Sequence, residues 1–191
     1  MTLADARSRA ARIRVLALDV DGTLTDGRIY IGPQGEAMKA FNVRDGFGLT
    51  LLREAGLQLA IITARQSEIV RHRAAELGIA VVMQGERDKL AALQTLCRNL
   101  SITPDQVGYA GDDWTDLPAM LAAGFAATVV DAPEAVRARA HWVSTLAAGS
   151  GAIRELAEFI LDSRGELHSA LARRLISAAA PERNDSQRGG R

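Results

Sequence analysis

An apolar stretch, Val15-Leu16-Ala17-Leu18, runs directly into Asp19-Val20-Asp21-Gly22-Thr23. Side chains alternate along a strand, so Leu18 and Val20 can stay packed while Asp19 and Asp21 turn to one side. Two carboxylates that converge at a strand end repel each other unless a cation lies between them. Oxygen ligands in small number suit Mg²⁺, which keeps several waters and also takes oxygens from a phosphorylated substrate. The implied chemistry is phosphoryl transfer by aspartate and Mg²⁺.

Other residues of the right type stand at comparable places. The run Leu59-Ala60-Ile61-Ile62 ends in Thr63, with Arg65 close behind. Val107-Gly108-Tyr109-Ala110 ends in Gly111-Asp112-Asp113, with Asp116 one turn further on. Lys89 opens an apolar helical pattern of Leu90, Leu93, Leu96 and Leu100. Phosphoryl transfer needs a nucleophile, an acid/base, a metal cage and cations for the equatorial oxygens. Taken singly, each has a plainer reading. Asp21-Gly22 reads equally as a turn. Asp112-Asp113 suits a helix cap, Thr63 an ordinary strand-end hydroxyl, and Lys89 a solvated charge. Their succession, each at a strand end or a helix start, is what favours chemistry.

The elements that must position them follow from periodicity. Residues 14–18, 58–62, 80–83 and 107–110 are short apolar runs that predict buried strands, with weaker ones at 125–129 and 142–143. Helical patterns lie between them. Phe47, Leu51, Leu52 and Ala55 share a face that Gly56 closes, and Ile69 to Leu77 form another that Gly78 closes. Residues 90–100 give a third, and Leu117, Met120 and Leu121 a fourth. Alternation with short connections predicts an α/β fold, a doubly wound parallel sheet with helices on both faces. Ligands then bind at the carboxyl edge of that sheet. Residues 28–41 break the alternation. Two strand-like runs, 28–31 and 37–41, flank Gly32-Pro33-Gln34-Gly35 and predict an inserted β-hairpin, with no large cap domain. A lone hairpin is marginal in water, so its apolar members are expected to pack on the domain or on another subunit.

The quoted residues resemble the motifs of the haloacid-dehalogenase-like phosphohydrolase superfamily, over about residues 15–161. Within it, Leu24-Thr25-Asp26-Gly27, Lys39-Ala40-Phe41-Asn42-Val43-Arg44-Asp45-Gly46, Gly111-Asp112-Asp113-Trp114-Thr115-Asp116-Leu117-Pro118 and Gly151-Ala152-Ile153-Arg154-Glu155 resemble the family of 3-deoxy-D-manno-octulosonate 8-phosphate phosphatases. The resemblance implies that Asp19 is the nucleophile and Asp21 the acid and base. It implies that Mg²⁺ is held by Asp19, the Asp21 backbone carbonyl and Asp112, with Asp113 or Asp116 in support. Thr63 and Lys89 would bind the phosphoryl oxygens, and Arg44 and Arg65 are candidates for a sugar carboxylate. The implied substrate is a small phosphorylated sugar acid on the way to lipopolysaccharide. A phosphatase for a nine-carbon keto-sugar acid phosphate or another small phosphomonoester, and a non-catalytic scaffold, are the alternatives. A homotetramer through hairpin 28–41 is also implied. Ala64 and the run Ala148-Gly149-Ser150-Gly151 depart from the pattern of the relatives, and the segment after Asp162 is long for the family.

Composition bounds the rest. The chain has 191 residues, 48% hydrophobic and 24% charged, enough for one domain that buries roughly 70% of its unfolded surface. Lys+Arg and Asp+Glu are both 23, so no global positive field exists to recruit nucleic acid or an anionic membrane. No Gly-x-x-x-x-Gly-Lys-Ser/Thr segment marks a P-loop. An EF-hand reading of Asp19 onward fails, because Leu24 stands where the turn glycine is needed and Tyr30 where the glutamate is needed. His72, His141 and His168 have no metal-ligand spacing. Cys97 is the only cysteine and fits a core position. The N-terminal Ala/Arg-rich stretch lacks the apolar segment of a signal peptide, and no run approaches the ~20 apolar residues of a membrane span. A cytoplasmic protein is expected. Residues 1–161 are expected to be the phosphatase domain. Residues 162–191 are expected to be a tail, with a basic amphipathic helix at 167–176 and disorder over 181–191.

Overall fold

The computed structural model describes residues 2–179; the disorder expected over 181–191 lies outside them. The chain opens with α1 (Leu3–Ala10) and β1 (Val15–Leu18), then the hairpin strands β2 (Tyr30–Gly32) and β3 (Gly35–Met38). There follow α2 (Val43–Glu54), β4 (Gln58–Thr63), α3 (Glu68–Glu76), β5 (Val81–Gln84), α4 (Lys89–Leu100) and β6 (Val107–Ala110). The chain continues with α5 (Leu117–Ala122), β7 (Phe125–Thr128), α6 (Glu134–Arg137), β8 (Trp142–Val143), α7 (Ala152–Ser163) and α8 (Leu167–Ala179). The main sheet has six strands in the order β5-β4-β1-β6-β7-β8. Every pairing within it is parallel. β1 is therefore central, and the strand order reverses around it, which opens a crevice at its carboxyl end.

Alternation along the strands builds two separate cores. Leu16, Leu18, Leu59 and Ile61 join the cluster under α1, α2, α3 and α7. Val15, Ala17, Ala60, Ile62, Val107 and Tyr109 join the cluster under α4 and α5. This is the doubly wound arrangement expected. Cys97 is buried in the second cluster, as its surroundings predicted. α7, which periodicity had not singled out, carries the strongest amphipathic face. Ile153, Leu156, Ala157, Ile160 and Leu161 recur at i, i+3, i+4, i+7 and i+8 and are all buried. Each large member contributes roughly 1.5–3 kcal/mol by leaving water. α7 runs two residues past position 161 to Ser163, and α8 returns Ala170 to the first core. No helix among the described residues is long and apolar enough to cross a membrane.

The hairpin forms its own antiparallel two-stranded sheet. Gly32 pairs with Gly35, so the turn is tighter than expected and the strands lie at 30–32 and 35–38. Ile29, Tyr30, Ile31 and Met38 are exposed. The hairpin meets its own domain chiefly through Glu36, Lys39 and Phe41.

Candidate active site

Register brings the strand ends together. Leu18 pairs with Ile61 on one side and Ala110 on the other, so the residues just beyond β1, β4 and β6 share one edge. The Asp19 amide donates to the Ala110 carbonyl at 2.9 Å, extending β1 by one ladder bond. The chain then coils around one acceptor: Leu24 and Thr25 amides donate to the Val20 carbonyl at 2.9 and 3.0 Å. This tight turn needs Gly22, whose φ is +91°. A Cβ there would lie 2.2 Å from Asp112 Oδ2. Gly22 thus makes room for a carboxylate delivered by a different strand.

Lys89 occupies the centre. Asp88 caps α4 by accepting from the Ala91 amide, which sets Lys89 in the first helical turn. Its ammonium lies 2.9 Å from Asp19 Oδ1 and 2.6 Å from Asp116 Oδ1, and its side chain is 3% exposed. Asp116 is fully enclosed and fully employed. Oδ1 also accepts from the Tyr109 hydroxyl at 2.8 Å, and Oδ2 accepts from the Asp112 and Asp113 amides at 3.2 and 3.1 Å. A Cβ at residue 111 would strike Asp116 Cγ at 2.4 Å, so Gly111 gives that carboxylate its seat. Asp112 accepts from the Thr23 hydroxyl at 3.0 Å. Asp113 is exposed, with one oxygen on the Trp114 amide. Of the two supporting acids named from sequence, the structure brings Asp116 into the cluster and leaves Asp113 at the surface.

Electrostatics follow from this crowding. Oxygens of Asp19, Asp112 and Asp116 lie within 4.8 Å of one another, against the one ammonium of Lys89. Burial, then repulsion from Asp116, pushes the Asp19 carboxyl up to about 6, although Lys89 pulls the other way. Burial, then Asp19 and Asp116, pushes Asp112 up to about 7. Burial alone would lower the Lys89 ammonium, but Asp19 and Asp116 outweigh it and raise it. Burial and Asp116 likewise push the Tyr109 hydroxyl far up, so it stays a donor. A buried cluster with surplus negative charge and only oxygen donors fits a hard divalent cation such as Mg²⁺.

The remaining sequence candidates fall at the rim. Thr63 is buried at the end of β4, and its hydroxyl accepts from the Arg65 amide at 3.4 Å. Arg65 is partly exposed, 3.8 Å from Asp21 Oδ2 and 3.9 Å from Glu36 Oε1. Arg44 is exposed in the first turn of α2 and enters no ion pair among the described residues. Asp21 stands apart from the Asp19 cluster, and its partner is Lys39 of the hairpin. Lys39 is 1% exposed and also lies 3.0 Å from Glu36. Burial would raise the Glu36 carboxyl, yet the Ser67 hydroxyl and Lys39 hold it below the usual range.

Lys39 and Asp45 have buried side chains, and sequence reasoning quoted both within a motif without a role. Asp45 is buried and accepts from the Arg154 and Gly151 amides at 2.8 and 3.3 Å, capping α7 from a neighbouring helix. Asn42 Nδ2 donates to the Gly149 carbonyl at 3.1 Å. A Cβ on residue 149 would lie 2.7 Å from the Asp26 amide, so the glycine-rich loop rests directly on the turn after β1. The two distant motifs are thus halves of one contact.

The comparisons with known proteins agree with this geometry. The haloacid dehalogenase-like hydrolase family matches over residues 74–156. The 3-deoxy-D-manno-octulosonate 8-phosphate phosphatase KdsC of Escherichia coli K12 is 44% identical over 167 residues, 87% of this chain and 89% of that protein. This chain belongs to the 3-deoxy-D-manno-octulosonate 8-phosphate phosphatase family. The crystal structure of the family member from Yersinia pestis, 44% identical, superposes with a TM-score of 0.83 over 86% of this chain and 89% of that one. The member from Moraxella catarrhalis is 41% identical, with a TM-score of 0.88 over 90% of this chain and 99% of that one. That structure holds a magnesium ion, a phosphate ion and KDO, the sugar acid.

Proposed function

We propose that this chain hydrolyses 3-deoxy-D-manno-octulosonate 8-phosphate to the free sugar acid and phosphate, through an aspartyl-phosphate on Asp19. The observation that carries the reading is the meeting of Asp19, Lys89, Asp112 and Asp116 at adjoining strand ends, in a chain 44% identical to such phosphatases over most of its length.

In the first half-reaction an Asp19 oxygen attacks phosphorus, the bond to the sugar oxygen breaks, and Asp21 gives its proton to that oxygen. In the second, water gives a proton to Asp21 and attacks phosphorus; the bond to Asp19 breaks and phosphate leaves. Lys89 and Thr63 bind the phosphoryl oxygens, and Lys89 also limits the repulsion between Asp19 and an incoming dianion. Mg²⁺ would be held by Asp19, Asp112 and the Asp21 carbonyl; Asp116 is reserved for Lys89, since both its oxygens are engaged. When bound, the ion neutralises charge between these carboxylates and the phosphoryl oxygens. Arg65, beside Asp21, suits the sugar carboxylate; Arg44 is the second candidate.

The reading carries a role in lipopolysaccharide precursor synthesis in the cytoplasm. It also carries assembly as a homotetramer through residues 28–41, which the exposed Ile29, Tyr30, Ile31 and Met38 support. The test is phosphate release from the eight-carbon and a nine-carbon keto-sugar acid phosphate side by side, with and without EDTA. Higher kcat/KM on the eight-carbon ester, lost in EDTA and in Asp19→Asn, is expected. Turnover by Asp19→Asn would refute the nucleophile, and a preference for the nine-carbon ester would refute the substrate. Light scattering of wild type and Ile31→Asp tests assembly: a tetramer that Ile31→Asp breaks is expected.

A further inference from the structure

A lysine of the hairpin is buried against a carboxylate of the reaction. The Lys39 side chain is 1% exposed, although it belongs to an element whose Ile29, Tyr30, Ile31 and Met38 face outward. Burying an ammonium is costly unless it is paired. Its partners are Asp21 Oδ1 and, at 3.0 Å, Glu36 Oε1. Glu36 is fixed in turn by the Ser67 hydroxyl, and Ser67 caps α3 by accepting from the Val70 amide at 3.3 Å. A continuous polar chain thus runs from the first turn of α3, through the base of the hairpin, to Asp21. No hydrogen bond among the described residues reaches Asp21 Oδ2, and Arg65 Nε lies 3.8 Å from it.

We propose that Lys39 is a positioning residue for Asp21. By anchoring Oδ1 it fixes the carboxyl rotamer and leaves Oδ2 as the oxygen that exchanges the proton with the sugar oxygen and with water. This rests on the reading of Asp21 as acid and base. The hairpin thereby acts as a clamp on the proton-transfer group, besides any part in assembly.

The test exploits the leaving group. Proton donation matters for a sugar alkoxide and little for p-nitrophenolate, which leaves without it. Wild type, Lys39→Met, Lys39→Arg, Glu36→Gln and Asp21→Asn are compared on the eight-carbon sugar acid phosphate and on p-nitrophenyl phosphate, with saturating Mg²⁺. General acid catalysis supplies about 10²–10⁴-fold. Lys39→Met is expected to lower kcat/KM on the sugar ester by about 10–100-fold, part of that factor; kcat/KM reads the steps up to loss of the sugar or aryl oxygen and so leaves out the water step that both esters share. On the aryl ester kcat/KM is expected to stay within about threefold, because no proton needs to be delivered in the step that releases p-nitrophenolate. Lys39→Arg should recover part of the loss, and Glu36→Gln should show the same discrimination in weaker form. It keeps the test alive if Lys39→Met fails to fold. An equal fall in kcat/KM on both esters for Lys39→Met, or for Glu36→Gln in its place, while Asp21→Asn discriminates, would overturn the positioning role. An Asp21→Asn variant whose kcat/KM falls equally on both esters would instead remove the assignment of Asp21 as the acid, and this proposal with it.

Discussion

Replacing Lys89 with Met tests how the carboxylate cluster tolerates its own charge. Methionine matches the length of the lysine stem but carries no charge. Asp19 and Asp116 lose contacts of 2.9 and 2.6 Å. Asp116 keeps the Tyr109 hydroxyl and two amides, so the loss falls mainly on the mutual repulsion of Asp19, Asp112 and Asp116. Breaking a buried ion pair by removing one partner costs about 3–5 kcal/mol. In a chain of this size each kcal/mol moves Tm by about 2–4 °C, so a fall of about 6–20 °C in EDTA at pH 7.5 is expected. The sign with pH follows from the raised carboxyls. Asp19 and Asp112 have folded values of about 6 and 7, above an unfolded value of about 3.9. Their stabilising contribution is therefore complete below about pH 4 and is lost as pH rises through 6 to 7. Removing Lys89 raises these values further, so the deficit of the variant shrinks toward pH 5. Mg²⁺ at a hundred times its dissociation constant adds about 2.7 kcal/mol; without Lys89 the cluster carries one more unit of uncompensated negative charge, so at one fixed Mg²⁺ concentration the variant is expected to gain more than the wild type. Thermal unfolding by circular dichroism, at pH 5 and 7.5 with EDTA or Mg²⁺, reads all of these. A variant with wild-type Tm in EDTA at pH 7.5, and no larger response to Mg²⁺, would refute the view that Lys89 is the countercharge of the cluster. Turnover should fall by about 10²–10³-fold, as for loss of one charge-stabilising donor.

Other consequences are testable more simply. Gly22→Ala places a methyl group 2.2 Å from Asp112 Oδ2 at a φ of +91°, so half-activation should need about 10–100-fold more Mg²⁺, the size of effect seen when a ligand loses its support; an unchanged Mg²⁺ titration would contradict this. Asp45→Ala uncaps α7 by removing the acceptor of the Gly151 and Arg154 amides. It should cost about 1–2 kcal/mol, read as a lower urea midpoint with unchanged slope. His141 Nδ1 accepts from the Ala126 amide at 2.7 Å, and burial with Arg9 nearby lowers its value. The folded state thus disfavours the imidazolium, and stability is lost as pH falls below the unfolded value of about 6.5. In saturating Mg²⁺ the Tm of wild type should drop between pH 6.5 and 5, and His141→Gln should flatten that slope.

How much of this was readable beforehand depends on how far each residue's role is local. Asp19, Thr63, Lys89 and Asp112 end a strand or begin a helix, and a parallel sheet gathers such positions at one edge whatever its details. Their meeting could therefore be anticipated from apolar runs alone. α7 had a legible period, Ile153 to Leu161, but its first turn carries no Ser, Thr or Asn cap. Its cap is Asp45, more than a hundred residues earlier in the chain, and no local pattern reports such a partner. Asp116 was named, with Asp113, as a metal helper on the strength of the family resemblance. Its enclosure by Tyr109, Lys89 and two amides, which makes it a holder of Lys89, depends on three-dimensional packing. Lys39 was the least legible. A lysine in a short exposed hairpin is ordinarily a solvated edge charge, and only the fold of residues 28–41 back over the turn after β1 buries it. The residues that the sequence showed are those proposed for the phosphoryl transfer itself. The residues it hid are those that hold the first group in place, because an acid or a lysine becomes a support only through the partner that the fold brings to it.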